Sequence, residues 1–230
     1  MKIIWLGHSG FRIEIEDQVL LIDPWLSNNP SFPDEERERA IQGTTAILMT
    51  HGHSDHIEDI PAIASATGAP VAGVYELAEW MEKSHGLTGI GFGKGGTIRL
   101  GRVEVTLVNA VHSSSTHKDG QRHYVGVEAG FMISGEGKTI YVSGDTDVMA
   151  DMEIFNDLHS PDIGLLSCGG YFTMDMRRAA YAANKFFNFK TVIPCHYKTF
   201  PMLEQSADVL IQALPNVDVV EPEVMHSIDL

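Results

Sequence analysis

Residues 50–56 read Thr50-His51-Gly52-His53-Ser54-Asp55-His56. Four metal-binding side chains fall within six positions, directly after the apolar run Ala46-Ile47-Leu48-Met49. In extended chain, side chains two apart point the same way, so His51 and His53 can reach one ion together. A helix that starts near Ser54 re-aims Asp55 and His56 toward a second position. Imidazole and carboxylate suit zinc and other first-row divalent ions. Gly52 lets the backbone pass close to such ions. Neither a single strand nor a single helix explains this spacing as a buried face.

Other apolar runs end the same way. KIIWLG stops at His8, VLLI at Asp23, VEVTLVNAV at His112, TIYVSG at Asp145 and TVIPC at His196. Sites in open α/β sheets gather beyond the carboxyl ends of strands, so six such endings imply a common rim. Strands are predicted at 2–6, 11–15, 19–22, 46–49, 70–73, 97–100, 103–109, 124–133, 139–143, 163–167, 191–194 and 217–220. Helices are predicted at 57–67, 74–84, 174–188 and 203–214, the third capped near Thr173 or Asp175. The pattern implies a layered α/β domain with helices covering sheets. No linker, repeat or low-complexity tract divides residues 1–230, so one domain is expected. The mixed charge run Asp34 to Arg39 reads as a solvated loop or short helix. Residues 24–43 as a lid over the site is the sharper reading.

Composition narrows the partners. The 230 residues carry 16 Lys+Arg against 31 Asp+Glu, a formal charge of −15. That balance argues against nucleic acid and against anionic membranes, both of which need a basic face. No stretch approaches the roughly 20 apolar residues of a membrane span, and the start lacks a signal-peptide core, so the expectation is a cytoplasmic protein. Two cysteines, Cys168 and Cys195, make no disulfide framework. Cys195 is expected in the core, whereas Cys168 follows a strand and is a candidate to line the pocket. Eleven histidines are the odd feature. His117 and His123 fall in a polar loop, and His85, His159 and His226 have no ligand-like spacing. Trp25 and Phe32 are candidates for an apolar pocket wall, and Lys198 for substrate contact.

The Thr50–His56 run resembles the HxHxDH signature of the metallo-β-lactamase superfamily. His112, Asp145 and His196 follow in that superfamily's order. Gly7-His8-Ser9, Leu21-Ile22-Asp23-Pro24, Gly169-Gly170-Tyr171-Phe172-Thr173-Met174 and the segment Pro194 to Pro201 narrow the likeness. They are similar to a branch of compact, single-domain bacterial metal-dependent hydrolases related to the ascorbate-phosphate lactonases. The resemblance implies a four-layer αββα sandwich with two divalent metal ions on one rim, zinc first, with manganese or iron as alternatives. It implies His51, His53 and His112 on one metal, Asp55, His56 and His196 on the other, and Asp145 as the bridge. The branch usually has Asn where Tyr171 stands, often Gly-Pro where Asp175-Met176 stands, and Met at the Cys195 position. These departures bear on the substrate and leave all seven metal positions intact.

Two such ions, about 3.5–4 Å apart, can share one hydroxide and lower the pKa of bound water toward about 7. The expected function is therefore hydrolysis of a lactone, amide or phosphoester bond in a small molecule. Asp55 and Asp145 are the expected catalytic carboxylates, Asp55 orienting the nucleophile and Asp145 fixing the metals. His8, Asp23, Thr173 and Tyr197 are expected behind the ligands or against substrate. Two metals would also reverse the local sign of charge, so an anionic substrate is compatible with the acidic surface. The competing readings are an iron-dependent redox enzyme of the same fold and a non-catalytic metal-binding protein. The flavodiiron type has a carboxylate at the His53 position and a following flavin domain, and neither is present. Self-association is left open.

Overall fold

Short β-branched runs bounded by glycine, proline and acidic turns become sixteen strands in the computed structural model, which describes residues 1–230. The strands are β1 Lys2–Trp5, β2 Phe11–Ile15, β3 Gln18–Ile22, β4 Ala46–Met49, β5 Val71–Val74, β6 Gly89–Phe92, β7 Thr97–Leu100, β8 Val103–Asn109, β9 Ser115–Lys118, β10 Gln121–Tyr124, β11 Ala129–Gly135, β12 Lys138–Val142, β13 Ile163–Ser167, β14 Thr191–Cys195, β15 Asp218–Val219 and β16 Ser227–Asp229. The helices are α1 Arg37–Ile41, α2 Ser54–Ile57, α3 Ile60–Thr67, α4 Tyr75–His85, α5 Asp151–His159, α6 Met176–Phe186 and α7 Asp208–Ala213.

The strands form two seven-stranded sheets, ordered β16-β1-β2-β3-β4-β5-β6 and β15-β14-β13-β12-β11-β8-β7, plus a β9-β10 ribbon. Each sheet follows the same plan. An antiparallel meander (β1-β2-β3, or β7-β8-β11-β12) leads into parallel strands joined through helices. Strands from both sheets contribute to one apolar cluster of 64 buried residues, including Ile13 and Leu48 from one and Phe131 and Leu165 from the other. Helices α3, α4 and α6 each bury one stripe and expose the other, as surface helices must. The architecture is the expected αββα sandwich. No helix is long and apolar enough to cross a membrane.

Several boundaries differ from the sequence reading. The helix predicted at 57–67 is two helices, α2 and α3, broken at Glu58-Asp59. Asp175 caps α6 by accepting from the Arg178 amide, as expected. The predicted 203–214 helix shortens to α7, and β6, β16 and α5 were not foreseen. The strand predicted at 124–133 starts later, at Ala129. Residues 115–124 instead fold as the β9-β10 ribbon around Asp119-Gly120, both at positive φ (52° and 74°). That dipeptide is the usual hairpin turn for right-twisted strands.

Candidate metal centre

Strand β4 delivers Thr50 and His51 to the rim. His53 keeps an extended backbone (φ −71°, ψ 149°) and α2 begins at the next residue. This change of conformation separates the donors into two groups. His51 Nε2 lies 2.9 Å from His53 Nδ1, and His112 Nε2 lies 3.3 Å from the same atom. The second group is Asp55, His56 and His196. Asp55 Oδ2 stands 3.9 Å from both His56 Nε2 and His196 Nε2. Between the groups sits Asp145 Oδ2, at 3.1 Å from His196 Nε2, 3.4 Å from His56 Nε2 and 3.7 Å from His112 Nε2. All seven residues named from the sequence are therefore brought to one place.

The atoms behind the donors decide which nitrogen faces the site. Asp23 is buried and accepts from the Thr50 amide (2.8 Å), from the Thr50 hydroxyl, and from His56 Nδ1 (2.8 Å). That occupies Nδ1 and turns His56 Nε2 toward the centre. The Thr50 hydroxyl, having given its proton to Asp23, accepts from His51 Nδ1 at 3.0 Å, which frees His51 Nε2. Ser113 Oγ lies 3.3 Å from His53 Nε2 and leaves His53 Nδ1 facing inward. Ser167 Oγ donates to Asp145 Oδ1 at 3.2 Å, leaving Oδ2 for the centre. Metal-binding imidazoles are held in this way by outer partners.

One atom tests the fit directly. His56 Nε2 is fully buried and makes no hydrogen bond. An orphaned buried nitrogen is costly unless something binds it. A divalent cation between His56, His196, Asp55 and Asp145 would satisfy it. The charges agree with that. Burial lowers the pKa of His51, His53 and His112, so these imidazoles are neutral and their lone pairs available. Burial opposes charge on His56, but Asp145, Asp23 and Asp55 outweigh it and hold its pKa well above the usual histidine range. Burial likewise opposes ionisation of Asp145, but His196 and His56 outweigh it and hold the carboxyl well below its usual range. Carboxylates that hold a proton on a fully buried imidazole mark a place that calls for positive charge.

Comparison with known proteins agrees with this chemistry. Residues 18–197 match the family model described as the β-lactamase superfamily domain. A UPF0173 metal-dependent hydrolase from Dinoroseobacter shibae is 62% identical over 230 residues, all of both chains. The chain belongs to this family. A second member, from Paracoccus denitrificans, is 59% identical, again over all of both chains. Among solved structures, Igni18, a metallo hydrolase from the archaeon Ignicoccus hospitalis, superposes with a TM-score of 0.86 at 30% identity, covering 99% of this chain and 97% of that one. The metallo-β-lactamase fold expected from the HxHxDH run is thus established.

The UPF0173 chain departs from the sequence reading at several residues. Tyr197 is a correction: its ring is fully buried, stacked on Trp5 at 5.7 Å, with its hydroxyl donating to Glu221, so it belongs to the core and not to a substrate wall. Lys198 also turns to Glu221, at 2.8 Å. Cys168 is fully buried and lines no open pocket. Cys195 reaches Ser167 Oγ at 3.7 Å, behind Asp145. Thr173 lies in a tight turn whose Met174 amide donates to the Thr146 carbonyl, next to Asp145. Trp25 packs edge-on to His8 (5.3 Å between ring centres), while Phe32 joins the main core.

Residues 24–43 are tied down. Asp59 accepts from the amides of Leu26 and Ser27, from the Ser27 hydroxyl and from Arg37. The segment is thereby fastened to the break between α2 and α3, one turn from Asp55 and His56. Asp59, Thr50, Ser167 and Thr199 were not singled out by the sequence. Their partners lie 22 or more residues away or depend on a neighbour's tautomer. His8 lies beside Asp55, with Nε2 at 3.0 Å from Asp55 Oδ2.

Proposed function

We propose that this chain is a hydrolase that uses two divalent cations to cleave a lactone, amide or phosphoester bond in a small molecule. The observation that carries the reading is Asp145 Oδ2, within 3.1–3.7 Å of imidazole nitrogens from both donor groups. His51, His53 and His112 would hold one cation, and Asp55, His56 and His196 the other, with Asp145 common to both. Zinc is the first choice for this nitrogen-rich set, with manganese or iron as alternatives. Such cations supply Lewis acidity and an acidified water at neutral pH.

The chain's own groups do the orienting. Asp55 is the more open carboxylate, about one-third exposed, and suits the task of aligning a nucleophile by hydrogen bond. Asp145, almost fully buried, suits a fixed bridge. Residues 1–230 would serve as one catalytic unit, working in the cytoplasm and needing no nucleic acid.

The test is a hydrolysis screen over lactones, phosphodiesters, phosphorylated sugars and β-lactams, with protein loaded separately with zinc and manganese. Asp145→Ala and His53→Ala should lose metal and hydrolysis together. Activity that survives in metal-stripped protein would overturn the proposal. Stoichiometric iron with oxygen-dependent turnover would replace it with a redox reading.

A further inference from the structure

Asp55 is the one carboxylate of the centre that solvent reaches, and a single hydrogen bond holds it. His8 Nε2 lies 3.0 Å from Asp55 Oδ2, and no other hydrogen bond reaches that side chain. A carboxylate only accepts, so His8 Nε2 carries the proton. The opposite ring nitrogen, Nδ1, lies 3.0 Å from the Thr199 hydroxyl. His8 and Thr199 are both buried, at 1% and 7% exposure, so neither has water to replace the other. The other acceptor within reach of the Thr199 hydroxyl, the Tyr197 carbonyl, is farther away at 3.3 Å.

We infer that Thr199 is a positioning residue: through His8 it fixes the orientation of Asp55 and so the affinity of the second cation. This rests on the two-cation reading above. The connectivity gives the inference its force. Thr199 lies three residues beyond His196, in the loop after β14. Asp55 lies on α2, and His8 in the loop after β1. The His196 amide also donates to the His8 carbonyl, at 2.9 Å. The Thr199–His8–Asp55 chain therefore joins the two elements that carry Asp55, His56 and His196. It touches none of His51, His53 or His112. A ring held at both nitrogens keeps one plane; a ring held at one is left to its packing against Trp25, His196 and Phe200, and Asp55 follows any tilt.

Thr199→Val keeps the shape and removes the hydroxyl. The experiment is a cobalt titration of metal-free protein followed by calorimetry and visible absorbance, with melting temperature measured alongside. The wild type should take up two cobalt ions. Thr199→Val should bind the first within twofold of wild type and the second about tenfold more weakly, at the lower edge of the effect of outer-partner loss. Thr199→Ser should restore the second step to within twofold. Thr199→Ala, read the same way, covers the case where valine does not fit. Two-step binding unchanged in Thr199→Val overturns the inference and leaves the two-cation reading intact. Equal weakening of both steps, or failure of both variants to fold, makes the role structural and overturns it too. A wild type that takes up one cobalt or none overturns the two-cation reading itself.

Discussion

A methyl group at Gly169 would test how closely the site depends on two neighbouring strand ends. Gly169 follows β13, beside the segment that carries His196. An added Cβ would stand 1.7 Å from the His196 carbonyl oxygen, 2.8 Å from its carbon and 3.3 Å from His196 Nδ1. Ordinary contacts begin near 3.5 Å, so the two segments must part by roughly 2 Å. The obstacle is backbone, and His196 already sits in the left-handed region at φ 59°, so no side-chain rotation relieves it. Overpacking of this kind costs about 1–3 kcal/mol, with the upper end expected here. In a chain of this length each kcal/mol shifts the melting temperature by about 2–4 °C. Gly169→Ala should therefore melt roughly 4–12 °C below the wild type in calorimetry. The displaced residue is a proposed ligand, with its Nε2 3.1 Å from Asp145, so on the proposed two-cation reading zinc uptake should fall from two ions toward one. Gly93→Ala is the control, because a Cβ there meets nothing within 4 Å and φ is not positive. A Gly169→Ala protein that melts within 1 °C of wild type and keeps its full zinc content refutes the reasoning.

Three further outcomes are expected. Asp23→Ala strands the buried Thr50 amide, the Thr50 hydroxyl and His56 Nδ1, which should cost about 3–5 kcal/mol by urea denaturation and roughly 10–100-fold in metal affinity; a loss under 1 kcal/mol would contradict the assigned role. Asp59→Ala removes four hydrogen bonds to residues 26–37 and should cost about 2–4 kcal/mol, with faster limited proteolysis within 24–43; cleavage at the wild-type rate would show the tether to be idle. Metal-free protein should lose stability as pH falls from 7 to 5. Burial lowers His8 to about 4 and lowers His51, His53 and His112, so the unfolded chain takes up protons near pH 6.5 that the folded chain refuses. His56, shifted the other way, adds stability below pH 6.5 that is lost only as pH rises through its own higher value, so it opposes the trend alone against these four and against His85 and His159, which burial also lowers. A melting temperature that holds or rises over that range would contradict this balance.

The legible parts of the molecule are those where local pattern and final position coincide. The HxHxDH run is readable because its proposed ligands lie within one strand end and one helix start. His112, Asp145 and His196 are readable because each follows an apolar run that must be a buried strand. The supports are different. Thr199 and His8 are 191 residues apart, and Asp59 finds Leu26 and Ser27 across 33 and 32. Nothing in composition or period links such pairs. Tyr197 misleads because adjacency to a proposed ligand looks like adjacency to the site, whereas its neighbour His196 turns left-handed and the ring goes to Trp5. The β9-β10 ribbon was legible in principle through Asp119-Gly120, but its polar strands hide the alternation. Helix α5 buries only Met152 and Phe155, too narrow a stripe for a helical period to stand out.

The rim shares a further backbone feature. His8, Asp23 and His196 each follow a strand of the sandwich and each has positive φ, at 50°, 42° and 59°. Such a conformation costs a residue with a side chain on the order of 1–2 kcal/mol, and glycine would avoid the cost. Glycine cannot replace any of the three, because each supplies a ring or carboxylate to the centre. A left-handed residue turns the chain sharply where the strand ends, so the side chain meets its partners instead of continuing the strand's alternation. All three are almost fully buried, and the core of 64 residues over-determines their positions. The strain thus falls at strand ends that build the candidate metal centre, with one such residue, His196, among the proposed ligands and two, His8 and Asp23, directly behind them. The sandwich can carry this cost because its stability comes from the interior, while the rim is left to hold chemistry.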